Sequence, residues 1–188
     1  MKITTRELRQ DDWPVLEELF GPRGACGGCW CMAWRSEERG QKYREQLGEP
    51  NRKAFRKLVQ SGVARGVLAF DGDTPVGWCS VGPRADFPKL QRSRVLQTEW
   101  GEHTWSITCF YIKSAYRAHG LGTLLGKEAV RVAKRHGAKV VEGYPAVLYD
   151  KTKPMPAAFA WTGVPRLFER LKFLQLRRTG RPIYRKEL

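Results

Sequence analysis

Arg117-Ala118-His119-Gly120-Leu121-Gly122 is the stretch that decides how this chain reads. It follows the apolar run 107–112 and opens a helical pattern that begins near Leu121. A strand feeding a glycine-rich turn into a helix N-terminus suits a pyrophosphate. The unpaired N–H groups of the first turn point outward together, and the helix dipole favours negative charge there. Gly120 and Gly122 let the backbone approach phosphates with no Cβ in the way. The chain therefore reads as the carrier of a nucleotide-like cofactor.

Three phosphate loops compete. A Walker A loop needs Gly-x4-Gly-Lys-Ser/Thr. The span from Gly120 to Gly126 is one residue too long, and Glu128 follows Lys127 where a magnesium-binding hydroxyl belongs. A dinucleotide fingerprint needs Gly-x-Gly-x-x-Gly/Ala and an acidic residue about 20 positions on. Gly120, Gly122 and Glu142 fit it. Leu125 takes the third small position, however, and too little sequence follows for a doubly wound sheet. The third pattern is Arg/Gln-x-x-Gly-x-Gly/Ala, whose fixed positions are all matched by Arg117, Gly120 and Gly122. It resembles the acetyl-CoA loop of the GCN5-related N-acetyltransferases.

The rest of the chain is compatible with that loop. Its 188 residues, 41% hydrophobic and 28% charged, suit a single domain over 1–188 with a sizeable core. No apolar run approaches the ~20 residues of a membrane span, and no signal-peptide core is present. The five cysteines are odd in number and unevenly placed, which argues against a secreted disulfide framework. The expectation is a cytoplasmic protein with reduced thiols, monomeric or homodimeric. Lys and Arg exceed Asp and Glu by 34 to 19, a formal charge of +15. Such a charge attracts polyanions: a polyphosphate cofactor, an acidic substrate or nucleic acid.

The hydrophobic periodicities set the order of elements. A strand is predicted over 3–8. A helix follows, capped by Asp11 or Asp12, with Val15, Leu16, Leu19 and Phe20 on one face. A Gly-, Cys- and Trp-rich loop covers 21–35, and polar helices cover about 37–47 and 51–61. Strands 63–70 and 75–81 meet at Asp71-Gly72-Asp73-Thr74, a hairpin signal. A basic segment spans 83–98. Strand 105–112 precedes the glycine loop, and helix 121–136 places Leu121, Leu124, Leu125, Ala129, Val132 and Ala133 on one face. Strand 139–144, a loop over 145–162, a short helix over 165–171 and a closing hairpin about Thr179-Gly180 complete the chain.

This order is similar to the GCN5-related N-acetyltransferase (GNAT) fold across nearly the whole chain. The segment Leu167-Phe168-Glu169-Arg170-Leu171-Lys172-Phe173 looks like the family's last helix running into its final strands. Cys29-Trp30-Cys31-Met32-Ala33-Trp34-Arg35 and the 157–173 region also look like a branch of bacterial members. The resemblance implies an α/β fold: a mixed, mostly antiparallel sheet of six or seven strands flanked by helices. Two parallel strands, 105–112 and 139–144, would splay to form the CoA cleft. It also implies transfer of the acetyl group of acetyl-CoA to a primary amine by direct attack. A small-molecule amine is the first choice of acceptor and a protein amine the second. Phe110 and Ile112 would offer backbone hydrogen bonds to the cofactor. Arg117, Ala118, His119, Gly120, Leu121, Gly122 and Thr123 would hold its pyrophosphate, with Lys113 and Lys127 as nearby cations.

Such chemistry needs a route for the amine proton, a donor to the developing oxyanion and a proton for the leaving thiolate. Here the sequence departs from the family. The usual acid is a tyrosine in a Tyr-Glu-x-x-Gly-Phe segment, and Phe168 stands at that position. Tyr144 and Tyr149, just after the second splayed strand, are the substitutes. Counting back from Ile112 to the position of the histone-acetylating branch's glutamate lands on Ser106. Glu142, on the adjacent strand, becomes the candidate base. Cys26-Gly27-Gly28-Cys29-Trp30-Cys31 supplies three soft ligands where structural zinc wants four, so no metal is expected. That loop reads instead as a wall of the acceptor cleft, lined by Trp30, Met32 and Trp34. Two other classes compete: a non-catalytic CoA-binding or sensing domain, which Phe168 invites, and a nucleic-acid-binding module, which the charge invites. The latter lacks any helix-turn-helix, zinc-finger or RNA-recognition signature.

Overall fold

In the computed structural model, which describes residues 2–147, 159–176 and 180–188, a seven-stranded sheet forms the centre. The elements run β1 (Ile3–Glu7), α1 (Trp13–Phe20), α2 (Gly40–Glu45), α3 (Glu49–Gln60), β2 (Gly66–Asp71), β3 (Thr74–Pro83) and α4 (Pro88–Arg92). They continue with β4 (Thr104–Ile112), α5 (Leu121–Arg135), β5 (Val140–Gly143), α6 (Pro165–Arg170), β6 (Leu174–Gln175) and β7 (Tyr184–Glu187). The strand order is β1-β2-β3-β4-β5-β7-β6. Every neighbouring pair is antiparallel except β4 and β5.

Strand periodicity explains why both faces are covered. Along β2, Val67 and Ala69 point to one core, with Leu125, Ala129 and Val132 of α5. Leu68 and Phe70 point to the other, with Leu16 and Phe20 of α1 and Phe55 of α3. Period-two alternation between two buried layers leaves β2 almost without exposed positions. Each fully buried Leu or Val contributes about 1.5–3 kcal/mol of transfer free energy. The β2–β3 hairpin closes with Asp71 opposite Thr74, so Gly72 and Asp73 form the turn that the sequence signals.

A break in this alternation shapes the site. Trp105, Ile107 and Phe110 all belong to the α5-side core, although 107 and 110 are three residues apart. The β3–β4 register slips at Ser80/Val81, which opposes Val81 to Ile107 and Ser80 to Cys109. Thr108 is the extra residue of a bulge, and its hydroxyl donates to Ser80 Oγ at 3.2 Å.

Three local expectations are refined. Asp12 sits at the cap position of α1 without capping it. Its carboxylate turns back to Arg6, at 2.7 Å from Nη2, and to the Arg9 amide, also at 2.7 Å. The first polar helix is only Gly40–Glu45, and the basic segment 83–98 contains α4 and two 3-10 turns. Gly126 is buried because Leu171, just past α6, packs there: a Cβ would fall 2.5 Å from its Cδ1.

Candidate active site

The parallel ladder is short. It pairs Thr104 with Val140 through Ile107 with Gly143 and then ends, while β4 continues to Ile112. Beyond Ile107, the β5-facing edge of β4 has no strand partner among the described residues. At that point Phe168 of α6 packs on the face of Gly143, where a Cβ would fall 2.0 Å from the Phe168 ring. The Phe110 and Phe168 rings meet edge-on at 6.3 Å. A cleft of about 360 Å³ opens beside this edge, lined by Phe110, Tyr111, Ile112, Arg117, Trp161 and Cys26, among others. The two strand residues expected to face a cofactor, Phe110 and Ile112, both line it.

At the cleft's end the glycine loop enters α5. Ala118 and Gly120 are both left-handed, with φ of 63° and 80°. For Ala118 this is a strained state, since a Cβ there costs about 1–2 kcal/mol. The Arg117 amide donates to Ser114 and the Thr123 amide to Gly120. The amides between them, Ala118 to Gly122, have no backbone acceptor among the described residues. Gly122 has an ordinary helical backbone, and a Cβ there would meet nothing nearer than 3.7 Å. The protein's own packing therefore does not require glycine at 122. What the missing side chain leaves is room over a row of N–H groups without a backbone partner among the described residues, a cradle that fits a phosphate. The Arg117 Nε donates to the Ile112 carbonyl at 2.9 Å, tying the loop to the end of β4.

Behind the splay lies a buried network of side chains. Tyr144 follows β5 directly, and its hydroxyl donates to Glu142 Oε2 at 2.7 Å. Tyr144 has one proton, so its 2.9 Å contact with Ser106 is donated by the serine. Glu142 is completely buried and also takes Arg84 Nε at 3.3 Å and Arg185 Nη2 at 2.8 Å. Two guanidiniums thus compensate one carboxylate, and donors fill both its oxygens. Arg84, equally buried, gives Nη2 to the Leu96 carbonyl at 3.0 Å. Burial first, and then the Glu142 carboxylate, push the Tyr144 hydroxyl well above the ordinary tyrosine range. The expected pair Glu142 and Tyr144 is therefore brought together, in the interior of the protein. Arg84, Ser106 and Arg185 complete the set. Of these only Ser106 had a sequence signal, its register with Ile112.

The remaining candidates disperse. Trp30 and Met32 pack in the core between α1, α3 and the sheet. Trp34 is also buried, its ring tilted against those of Tyr144 and Trp161, each at 5.9 Å. The loop's direct contribution to the cleft is Ala25 and Cys26. Its cysteines diverge: Cys26 is exposed, Cys29 accepts from the Tyr43 hydroxyl, and Cys31 accepts from Trp78 Nε1 at 3.2 Å. Trp30 and Cys31 are held left-handed, at φ of 45° and 59°. Hydrogen bonding with the Cys109 thiol, with Trp78 and Arg35 adding to it, brings Cys31 down to about 7 against its burial. Phe168 is a core residue, touching Phe110, Phe173 and Tyr184. Tyr149 lies outside the described residues.

Comparison with known proteins agrees with this geometry. The profile of the Acetyltransferase (GNAT) family matches residues 30–147, and the chain belongs to that family. A sequence comparison with curated proteins finds no match. Among solved structures it is similar to the PaiA N-acetyltransferase of Thermoplasma acidophilum in complex with coenzyme A, at TM-score 0.57 and 17% identity, with 100% of both chains covered. It is also similar to a GCN5-related N-acetyltransferase from Kribbella flavida, at TM-score 0.57 and 18% identity over 99% of this chain and 98% of that one. The YncA acetyltransferase of Salmonella typhimurium, with its cofactor acetyl-CoA, gives 0.55 and 16% over 99% and 94%. At these identities the likeness establishes the fold.

Proposed function

We propose that this protein is an N-acetyltransferase that uses acetyl-CoA and a primary amine of a small molecule. The observation that carries the reading is the early end of the parallel ladder at Ile107–Gly143, beside the amides of 118–122, which have no backbone partner among the described residues. An unpaired strand edge matches the amides of a pantetheine arm, and the helix N-terminus matches a pyrophosphate. Acetyl-CoA supplies the activated acetyl thioester. The chain's own contribution is to bind and orient it through the backbone of Phe110, Ile112 and the 117–123 loop.

Glu142 acts in this reading as a positioning residue. It accepts the one hydrogen bond that the Tyr144 hydroxyl can donate, so Tyr144 too positions the strands and does not meet the reacting atoms. Tyr149 is the remaining candidate donor. No carboxylate lines the described part of the cleft. The acceptor therefore sheds its proton to water, and kcat/KM should rise with pH along the acceptor's own titration. A plateau set instead by an enzyme group near neutrality would contradict this assignment.

Two measurements test the reading. Calorimetry should show acetyl-CoA binding, and a panel of amines should release the free thiol of CoA. Tyr149→Phe should lower kcat while leaving KM for acetyl-CoA in place. Tight CoA binding with no thiol release from any amine would favour a non-catalytic CoA-binding domain. Phe168, a core phenylalanine at the family's usual acid position, is the observation on that side.

A further inference from the structure

Cys31 is a buried nucleophile that acetyl transfer leaves unused, and its sulfur is a meeting point of donors. Trp78 belongs to the core beside α1 and α3, and Ser80, two residues on along β3, shares its face. Cys109 opposes Ser80 across the β3–β4 ladder, so its thiol stands on that face as well. The Cys31 side chain enters the same layer from the 21–35 loop. It accepts hydrogen bonds from the Cys109 thiol, the Trp78 indole and the Ser80 hydroxyl. Thr108 donates to Ser80 Oγ, which leaves the serine proton for the sulfur. Four residues on, Arg35 is buried with its guanidinium 4.5 Å over the Phe87 ring. Its Nε and Nη2 have no acceptor among the described residues. Negative charge on Cys31 and on Asp86 offsets the burial of this cation. Donors and cation together draw the sulfur toward the thiolate, the reactive form of cysteine.

The partner thiol occupies a telling place. Cys109 lies just past the end of the parallel ladder at Ile107 and just before Phe110, on the strand edge beside the cleft. The loop that carries Cys31 lends Ala25 and Cys26 to the same cleft. All five cysteines are free thiols, and Cys109 is half-buried while Cys79 is fully buried. A bond between Cys31 and Cys109 ties one wall of the cleft to its floor.

We propose that Cys31 and Cys109 are a site of reversible oxidation by hydroperoxides, closing to a disulfide that lowers cofactor binding in the cleft. The Cys31 thiolate attacks one oxygen of hydrogen peroxide, the O–O bond breaks, and the departing hydroxide takes a proton to leave as water. Cys31 is then a sulfenic acid. The Cys109 sulfur attacks it, the S–S bond forms, the S–O bond breaks, and the oxygen leaves with the thiol proton as a second water. The two thiols lose the two electrons that the peroxide gains, and a dithiol reverses the step by exchange. The bridge itself is independent of the acetyltransferase reading, and only its effect on the cleft rests on that reading.

The test uses the full chain, reduced with dithiothreitol and then exposed to excess hydrogen peroxide. Remaining thiols are alkylated, and the unreduced tryptic digest is read by mass spectrometry. The peptide carrying Cys109 should appear joined to the loop peptide, lighter by two hydrogens than the sum of the pair, with fragment ions placing the bond at Cys31. Dithiothreitol should release it. Cys109→Ser should abolish the bridge, and Cys26→Ser should retain it. No bridge, a bridge from Cys26 or Cys29 instead, or sulfinic acid at Cys31 alone overturns the proposal. Calorimetry reads the effect on the cleft. Acetyl-CoA should bind the bridged wild type about tenfold or more weakly than the reduced protein. Cys109→Ser should bind it alike before and after peroxide. Equal affinity of bridged and reduced wild type overturns the coupling to the cleft. Should neither form bind acetyl-CoA, the cofactor reading falls, and the peptide map still decides the pair.

Discussion

The glycine loop and the Glu142 network lie on either side of the same strand opening and are built in opposite ways. The loop is backbone: amides at 118–122 without a backbone partner among the described residues, two left-handed residues and little side-chain bonding beyond Arg117 to Ile112. Its contacts are local in sequence. The network is side chain: one carboxylate, two arginines, a tyrosine and a serine, drawn from four segments, with only Glu142 and Tyr144 near each other in sequence. Arg84 and Glu142 are 58 residues apart, Glu142 and Arg185 43, and Ser106 and Tyr144 38. The loop leaves donors open for a ligand, and the network closes them on each other. The difference separates a site made to bind from a site made to hold two strands at a fixed angle.

Substitutions can break this contrast. The largest effect is expected for Glu142→Gln, which leaves Arg84 buried with its charge uncompensated. A loss of about 3–5 kcal/mol is expected, visible as a lowered denaturation midpoint. A variant as stable as wild type would mean that the arginines find another partner. In the loop the order of effects reverses. Gly120→Ala forces a side chain onto a backbone at φ of 80° and should cost about 1–2 kcal/mol of stability. Gly122→Ala should leave stability unchanged or raise it by up to about 1 kcal/mol, as alanine does in helices. It should nevertheless weaken acetyl-CoA binding about tenfold or more, read by calorimetry. Unaltered affinity would remove the loop from the binding site.

The smallest effect is expected at Lys172, which follows α6 at φ of 62°. Its amide donates to Glu169 and that of Phe173 donates to Phe168, the paired bonds of a helix C-cap that favours glycine. Lys172→Gly should raise stability by about 1 kcal/mol without touching either region. A melt unchanged or lowered would show that the lysine stem contributes packing of its own.

The same contrast explains what could be read in the sequence. Gly120 and Gly122 declare the loop because the geometry they permit is local, and the apolar periods of 107–112 and of α5 declare its flanks. The parallel pair and its splay follow from those flanks with the family resemblance. The pairing of Glu142 with Tyr144 was foreseeable as proximity, since the two residues are adjacent on either side of Gly143. Its character was not, because Arg84 and Arg185 arrive from segments whose only sequence signal is a positive charge among 34. The Trp30 and Met32 side chains point into the core for a similar reason. Their left-handed or tightly turned loop is set by contacts with α1 and α3, and no period survives in such a loop.

The free edge of β4 has one more consequence. An unpaired strand edge ordinarily recruits strands from other molecules and seeds aggregation. This one runs along the floor of a cleft walled in part by Ala25, Cys26, Ala160 and Trp161. A slender amide-bearing chain can lie along it, whereas a polypeptide with a side chain on every residue meets the walls. The walls that limit what can lie along this edge thus also keep the sheet from growing sideways.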